Sequence, residues 1–144
     1  MHRSQTKIMK RKDATFTFRE RYDDLNRAYK EALLRFNFST QEQTMAHAVE
    51  LPSCRFWVSA ARLSSMIYYM ETGDVAKCGN NPLRREMFQE MYRRYLELKN
   101  NPDNQNMTKT DLCYEVIYSQ APKFYMKPSW ALKIFYKGRS KYAD

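Results

Sequence analysis

Six cations and no acid fall within residues 116–143: Lys123, Lys127, Lys133, Lys137, Arg139 and Lys141. A second acid-free run opens the chain, where MHRSQTKIMKRK carries Arg3, Lys7, Lys10, Arg11 and Lys12. The formal net charge is +9, and the two runs together exceed it, so the remaining chain is slightly acidic. Positive charge segregated in this way attracts polyanions by releasing their condensed counterions, whereas evenly mixed charge only keeps a protein soluble. Nucleic acid is therefore the leading partner class, double-stranded DNA first, ahead of anionic lipid or an acidic protein.

Other chemistry has less to work with. Cys54, Cys78 and Cys113 form an odd set without C-x-x-C spacing, and only His2 and His47 could join them as metal ligands. No metal or other cofactor is expected. His47 has Glu50 close by, but acid–base or nucleophilic catalysis needs a base, an orienting partner and a nucleophile together, and no such trio is written here. Glycine-rich phosphate loops and paired carboxylates are also missing, so a non-enzymatic protein is expected. The first twelve residues lack the apolar core of a secretory signal, and no run approaches the ~18 apolar residues of a membrane span. With an odd number of cysteines, this points to a cytoplasmic protein.

The elements that must position these cations are helical. The chain of 144 residues is 43% hydrophobic with only 3 Gly, enough for a core and too few tight turns for a sandwich or barrel. The expected fold is all-α, a compact bundle of about six helices. It divides into a flexible basic arm, 1–14, and one helical domain, 15–144. Thr17 to Glu20 is a capping box, followed by an apolar stripe of Phe18, Tyr22, Leu25, Tyr29, Ala32, Leu33 and Phe36. Ser39 to Glu42 is a second box, and Pro52 closes the helix it opens. Ser59 caps a helix ending at Gly73, and Asn81-Pro82 starts a fourth, striped by Leu83, Met87, Met91, Tyr95 and Leu98. A fifth begins near Thr110. The last starts at Pro128 and is expected to end at Gly138.

Residues 44–70 and 112–138 repeat one phrase at an offset of 68. Arg55, Phe56, Trp57 and Val58 align with Lys123, Phe124, Tyr125 and Met126; Ala48 and Val49 align with Val116 and Ile117. The conserved chemistry breaks at Ser59 and Lys127. Each copy is a short helix, a basic-aromatic-aromatic-apolar turn and a second helix, which suggests two copies of one supersecondary unit. The turn aromatics are expected as core anchors rather than base-stacking platforms.

RFWVSAARLSSMI and KFYMKPSWALKIF resemble the helix-turn-helix DNA-binding superfamily over about 27 residues per copy, with Tyr125 and Trp57 where that family's turn often has glycine. The phrase also resembles short runs in small proteins of phages and mobile elements. The helix-turn-helix resemblance implies a recognition helix in the major groove. By position, Lys127, Ser129, Trp130 and Lys133 would meet bases, while Lys123, Lys137, Arg139 and Lys141 lie near phosphates. Ser59, Ala60, Arg62 and Ser65 are the uncharged or weakly charged equivalents in the first copy. The resulting expectation is a DNA-binding or regulatory protein using its C-terminal unit and basic tails, with Arg3, Lys7, Lys10, Arg11 and Lys12 as arm contacts. The alternative is a structural or interaction protein, a viral-particle component or adaptor, whose basic end docks on an acidic partner. A second copy of the chain is a further partner left open.

Overall fold

The computed structural model describes residues 8–37 and 40–142. The fold is all-α. Among the described residues the α-helices are α1 (Phe18–Arg35), α2 (Gln41–Ala48), α3 (Ala60–Glu71), α4 (Pro82–Lys99), α5 (Lys109–Ile117) and α6 (Pro128–Lys141). Short 3-10 turns at Val75–Cys78 and Pro102–Asn104 flank α4. None of these helices is long and apolar enough to cross a membrane.

Local sequence explains most boundaries. The Thr17–Glu20 box forms in full, and Ser59 Oγ accepts the Arg62 N–H to start α3. Asn81 caps α4 with Pro82 in its first turn. Two starts differ from expectation. The cap of α2 is Thr40, whose Oγ1 accepts the Gln43 N–H; Ser39 lies outside the described residues. The cap of α5 is Thr108, boxed with Asp111, because this pair satisfies both reciprocal N–H groups just ahead of Thr110. The α1 stripe also ends sooner. Tyr22, Leu25, Ala28, Tyr29 and Ala32 are buried, whereas Leu33 and Phe36 are exposed, since the helix turns that edge outward in its last turn.

The helices group into two compact units, each assembled from separate stretches of chain. The first takes Phe16–Cys54 and Gln120–Asp144, with the described residues up to Met9, and packs α1, α2 and α6 on one another. Buried Asp24 organises it: Arg27 binds Oδ1 at 2.8 Å and the Cys54 N–H reaches Oδ2 at 3.0 Å. The second takes Lys10–Thr15 and Arg55–Ser119, with α5 packed on α3 and α4. Its core includes Phe56, Leu63, Ile67, Phe88, Met91, Val116 and Ile117. Where the sequence points to one domain, each copy of the repeated phrase therefore contributes its first helix to one unit and its second helix to the other.

The 68-residue offset reappears in the hydrogen bonds. Ser53 and Ala121 exchange N–H···O bonds of 3.0 and 3.1 Å in an isolated antiparallel bridge. In the second unit the Phe56 N–H donates to Ile117 C=O at 3.0 Å, and in the first the Phe124 N–H donates to Val49 C=O at 2.9 Å. Ser53 and Ala121 are an aligned pair, and the other two bonds are equivalents of one another under the same offset, so each turn satisfies a carbonyl at the end of the other copy's first helix.

Candidate nucleic-acid interface

The last helix is displayed by α1 and α2. Ala131, Leu132, Ile134, Phe135 and Gly138 form its buried side, and Phe135 meets Tyr29 with ring centroids 4.3 Å apart. Gly138 does not end this helix as expected. It lies inside it, and a Cβ there would run into the Tyr22 ring, so the glycine is required for close approach rather than as a stop.

The opposite side of α6 gathers most of the expected contact residues. Ser129, Trp130, Lys133, Tyr136, Lys137 and Ser140 are exposed at helical spacing, and no acid interrupts them. Trp130 is 50% exposed and Tyr136 43%, large for aromatic rings on a helix whose other face is buried. Tyr136 is partly fixed by donating to Gln41 Oε1 at 2.6 Å. At the start, Lys127 is the N-cap residue, Pro128 follows, and no side chain caps the first turn. At the far end Lys137 lies over Phe18 at 5.0 Å and Lys141 over Tyr142 at 5.9 Å. Arg19 of α1 joins them over Tyr142 at 4.6 Å. Aliphatic stems laid on rings leave the charged heads at the surface.

Two expected phosphate contacts are elsewhere. Lys123 is only 21% exposed, lies 5.4 Å over the Tyr125 ring and stands 3.9 Å from Glu50 Oε1, so it braces the turn. Arg139 folds over Phe135, on a different side of α6 from Lys133. Phe56, Phe124 and Tyr125 are buried, as core anchors. Tyr125 has φ of 56°, the left-handed conformation that glycine takes at no cost; burial of its ring holds it there.

The arm residues divide. Arg3 and Lys7 lie outside the described residues. Lys10, Arg11 and Lys12, expected in a solvated arm, belong to a segment folded into the second unit. Tyr118 Oη accepts the Arg11 N–H at 2.7 Å and donates to Arg11 C=O at 3.0 Å, and Ala60 N–H donates to Asp13 C=O at 3.0 Å. Sequence reasoning missed this anchor because Arg11 and Tyr118 lie more than a hundred residues apart, although Tyr114 on α5 and Tyr118 just after it, at i,i+4, were a signal.

Two arginines of α4, Arg93 and Arg94, are engaged with acids, and Arg85 donates to Gly79 C=O at 2.6 Å. Glu90 accepts from Arg93 at 2.7 Å and from Arg94 at 2.6 Å, and Arg93 also reaches Glu97 at 2.8 Å. The Arg93 hydrogen bond, aided by that of Arg94 and by both positive charges, holds the Glu90 carboxyl down to about 2 against the opposing cost of desolvation. This side of α4 is a paired, solvated surface. Burial pushes the Cys113 thiol up to about 11, which leaves it unreactive at neutral pH. Among the described residues, no group of three or more His, Cys, Asp and Glu is placed to hold a metal ion.

Comparison of the chain with protein-family models, with curated proteins and with solved structures finds no match.

Proposed function

We propose that this protein binds nucleic acid, duplex DNA first, in a non-enzymatic role, through the exposed side of α6. The observation that carries this reading is the acid-free face holding Lys133, Lys137 and Trp130. Lysines one turn apart match the spacing of phosphates along a groove wall, and the uncapped first turn adds backbone N–H groups and the positive end of the helix dipole. Trp130 and Tyr136 supply apolar contact with sugars or bases. The helix beginning at Pro128 then enters a groove, and the cations Lys127, Lys133, Lys137 and Lys141 neutralise phosphates along it.

Fluorescence anisotropy of a labelled random-sequence duplex, titrated at several salt concentrations, tests this. Affinity is expected to fall steeply with salt, and changing Lys133 and Lys137 together to Ala should lower the log–log slope by roughly 1.8, about 0.9 per lost phosphate contact. Trp130→Ala should weaken binding while leaving the slope nearly unchanged. Absence of binding at low salt, or a slope indifferent to the two lysines, would sink the proposal.

A second reading, an interaction protein docking its basic end on an acidic partner, draws on Leu33, Leu34 and Phe36, exposed at the end of α1. It predicts the opposite result in the same titration.

A further inference from the structure

The second unit carries a groove of about 460 Å³ that the α6 reading does not use. One wall is the segment Lys10, Arg11 and Lys12; the other is the end of α5 and the residue after it, with Tyr114, Glu115 and Tyr118. The cationic wall is built rather than loose. Both backbone polar groups of Arg11 are held by the Tyr118 hydroxyl. The Ala14 carbonyl accepts from the buried Arg55 guanidinium at 2.6 Å, and Ala14 itself sits at φ of 59°, a conformation sustained by those bonds. The Arg11 guanidinium turns back to Thr15 C=O at 3.2 Å, which leaves Lys10 and Lys12 as the exposed charges.

The volume excludes a bare oxyanion as the natural fit and lies in the range of small-molecule sites. Glu115 is decisive about the rest. A purely anionic ligand, such as an acidic peptide, would meet its carboxylate, whereas a ligand with an anionic end and a hydrogen-bond donor further along satisfies both walls. Tyr114, also in the lining, offers a half-exposed ring to a flat group. We infer that this groove holds one nucleotide: phosphate on Lys10 and Lys12, base against Tyr114, and an N–H or O–H of base or sugar donated to Glu115. The site shares no residue with the α6 face.

Calorimetric titration of the full chain with adenosine monophosphate, adenosine, inorganic phosphate and a short oligoadenylate tests the assignment. The monophosphate should bind at one site per chain, at least tenfold tighter than either adenosine or phosphate alone. Changing Lys10 and Lys12 to Ala, both exposed and so without effect on helix content, should weaken it on the order of tenfold. Tyr114→Leu should weaken the nucleotide and leave the faint phosphate binding unchanged. The oligoadenylate separates two sources of the same chemistry: tighter binding than the monophosphate assigns the groove to a strand, and equal or weaker binding to a free nucleotide. Nucleotide binding no tighter than phosphate, indifference to the lysine pair, or displacement by a glutamate decapeptide would overturn the inference. The Lys133/Lys137 double variant should keep nucleotide binding, and the Lys10/Lys12 variant should keep duplex binding, so either reading can fail alone.

Discussion

Arg55 and Lys123 occupy one position in the repeated phrase and do different work. Arg55 is fully buried; its Nε donates to Phe56 C=O at 2.9 Å and its Nη2 to Val58 C=O at 2.9 Å as well as to Ala14. The guanidinium plane lies 5.0 Å from the Trp57 ring and 4.7 Å from that of Tyr118. One flat, multi-donor group thus fastens the turn, α5 and the Lys10–Thr15 segment together, and burial makes its hydrogen bonds costly to lose. Arg55→Lys keeps the charge but gives up the fork, so it is expected to cost about 3 kcal/mol. Lys123→Ala removes a partly exposed brace and should cost less than about 1 kcal/mol. Urea denaturation of the two variants checks the contrast. Sequence identifies both as cations beside aromatics; it cannot distinguish them, because what buries Arg55 is a loop forty residues upstream.

At the scale of the element, α6 turns on Gly138. Glycine in a helix interior is usually a weak point, and its place near the chain's end suggests a stop. The structure gives a different reason for it. The helix runs on to Lys141, and Tyr22 of α1 fills the space where a side chain at 138 would stand. Gly138→Ala should therefore destabilise by about 2 kcal/mol despite alanine's better helix propensity, since the added methyl overlaps the buried Tyr22 ring as far as its Cγ, the end nearest the backbone. Tyr22→Leu combined with it should recover part of the loss, a non-additivity that a double-mutant cycle measures. Helix existence and caps were legible from local signals: the Thr17 box, Ser59, Asn81-Pro82 and Pro128 each act within one turn. What local signals could not convey is pairing. The repeat was visible at once, yet that α2 packs with α6 and α3 with α5 depends on contacts between distant segments. The same limit applies to the site: the charged side of α6 followed from spacing, while the removal of Lys123 and Arg139 from it did not.

At the scale of the whole molecule, connectivity predicts cooperation. The first unit needs Ser53 beside Ala121, and everything between, residues 55–119, is the body of the second unit. When the second unit is folded, its Phe56–Ile117 hydrogen bond already holds the two ends of that stretch together. When it is unfolded, forming the first unit means closing a loop of roughly 65 residues, at an entropic cost of roughly 3–4 kcal/mol beyond the constant term. The second unit is bound by the same logic, since Lys10–Thr15 reaches it only across residues 16–54. A penalty of that size is a large share of the ~5–15 kcal/mol that stabilises a typical domain, so neither unit is expected to persist far without the other. With Trp130→Phe, Trp57 becomes a sole tryptophan reporting the second unit, while far-ultraviolet circular dichroism sums the helices of both. The two signals should trace one urea transition. Met91→Ala, a cavity in the second unit's core costing about 2–5 kcal/mol, should move both curves to lower urea together. A biphasic dichroism curve in which Trp57 follows only the earlier step would show that the units stand independently and that the shared chain crossings carry no stability.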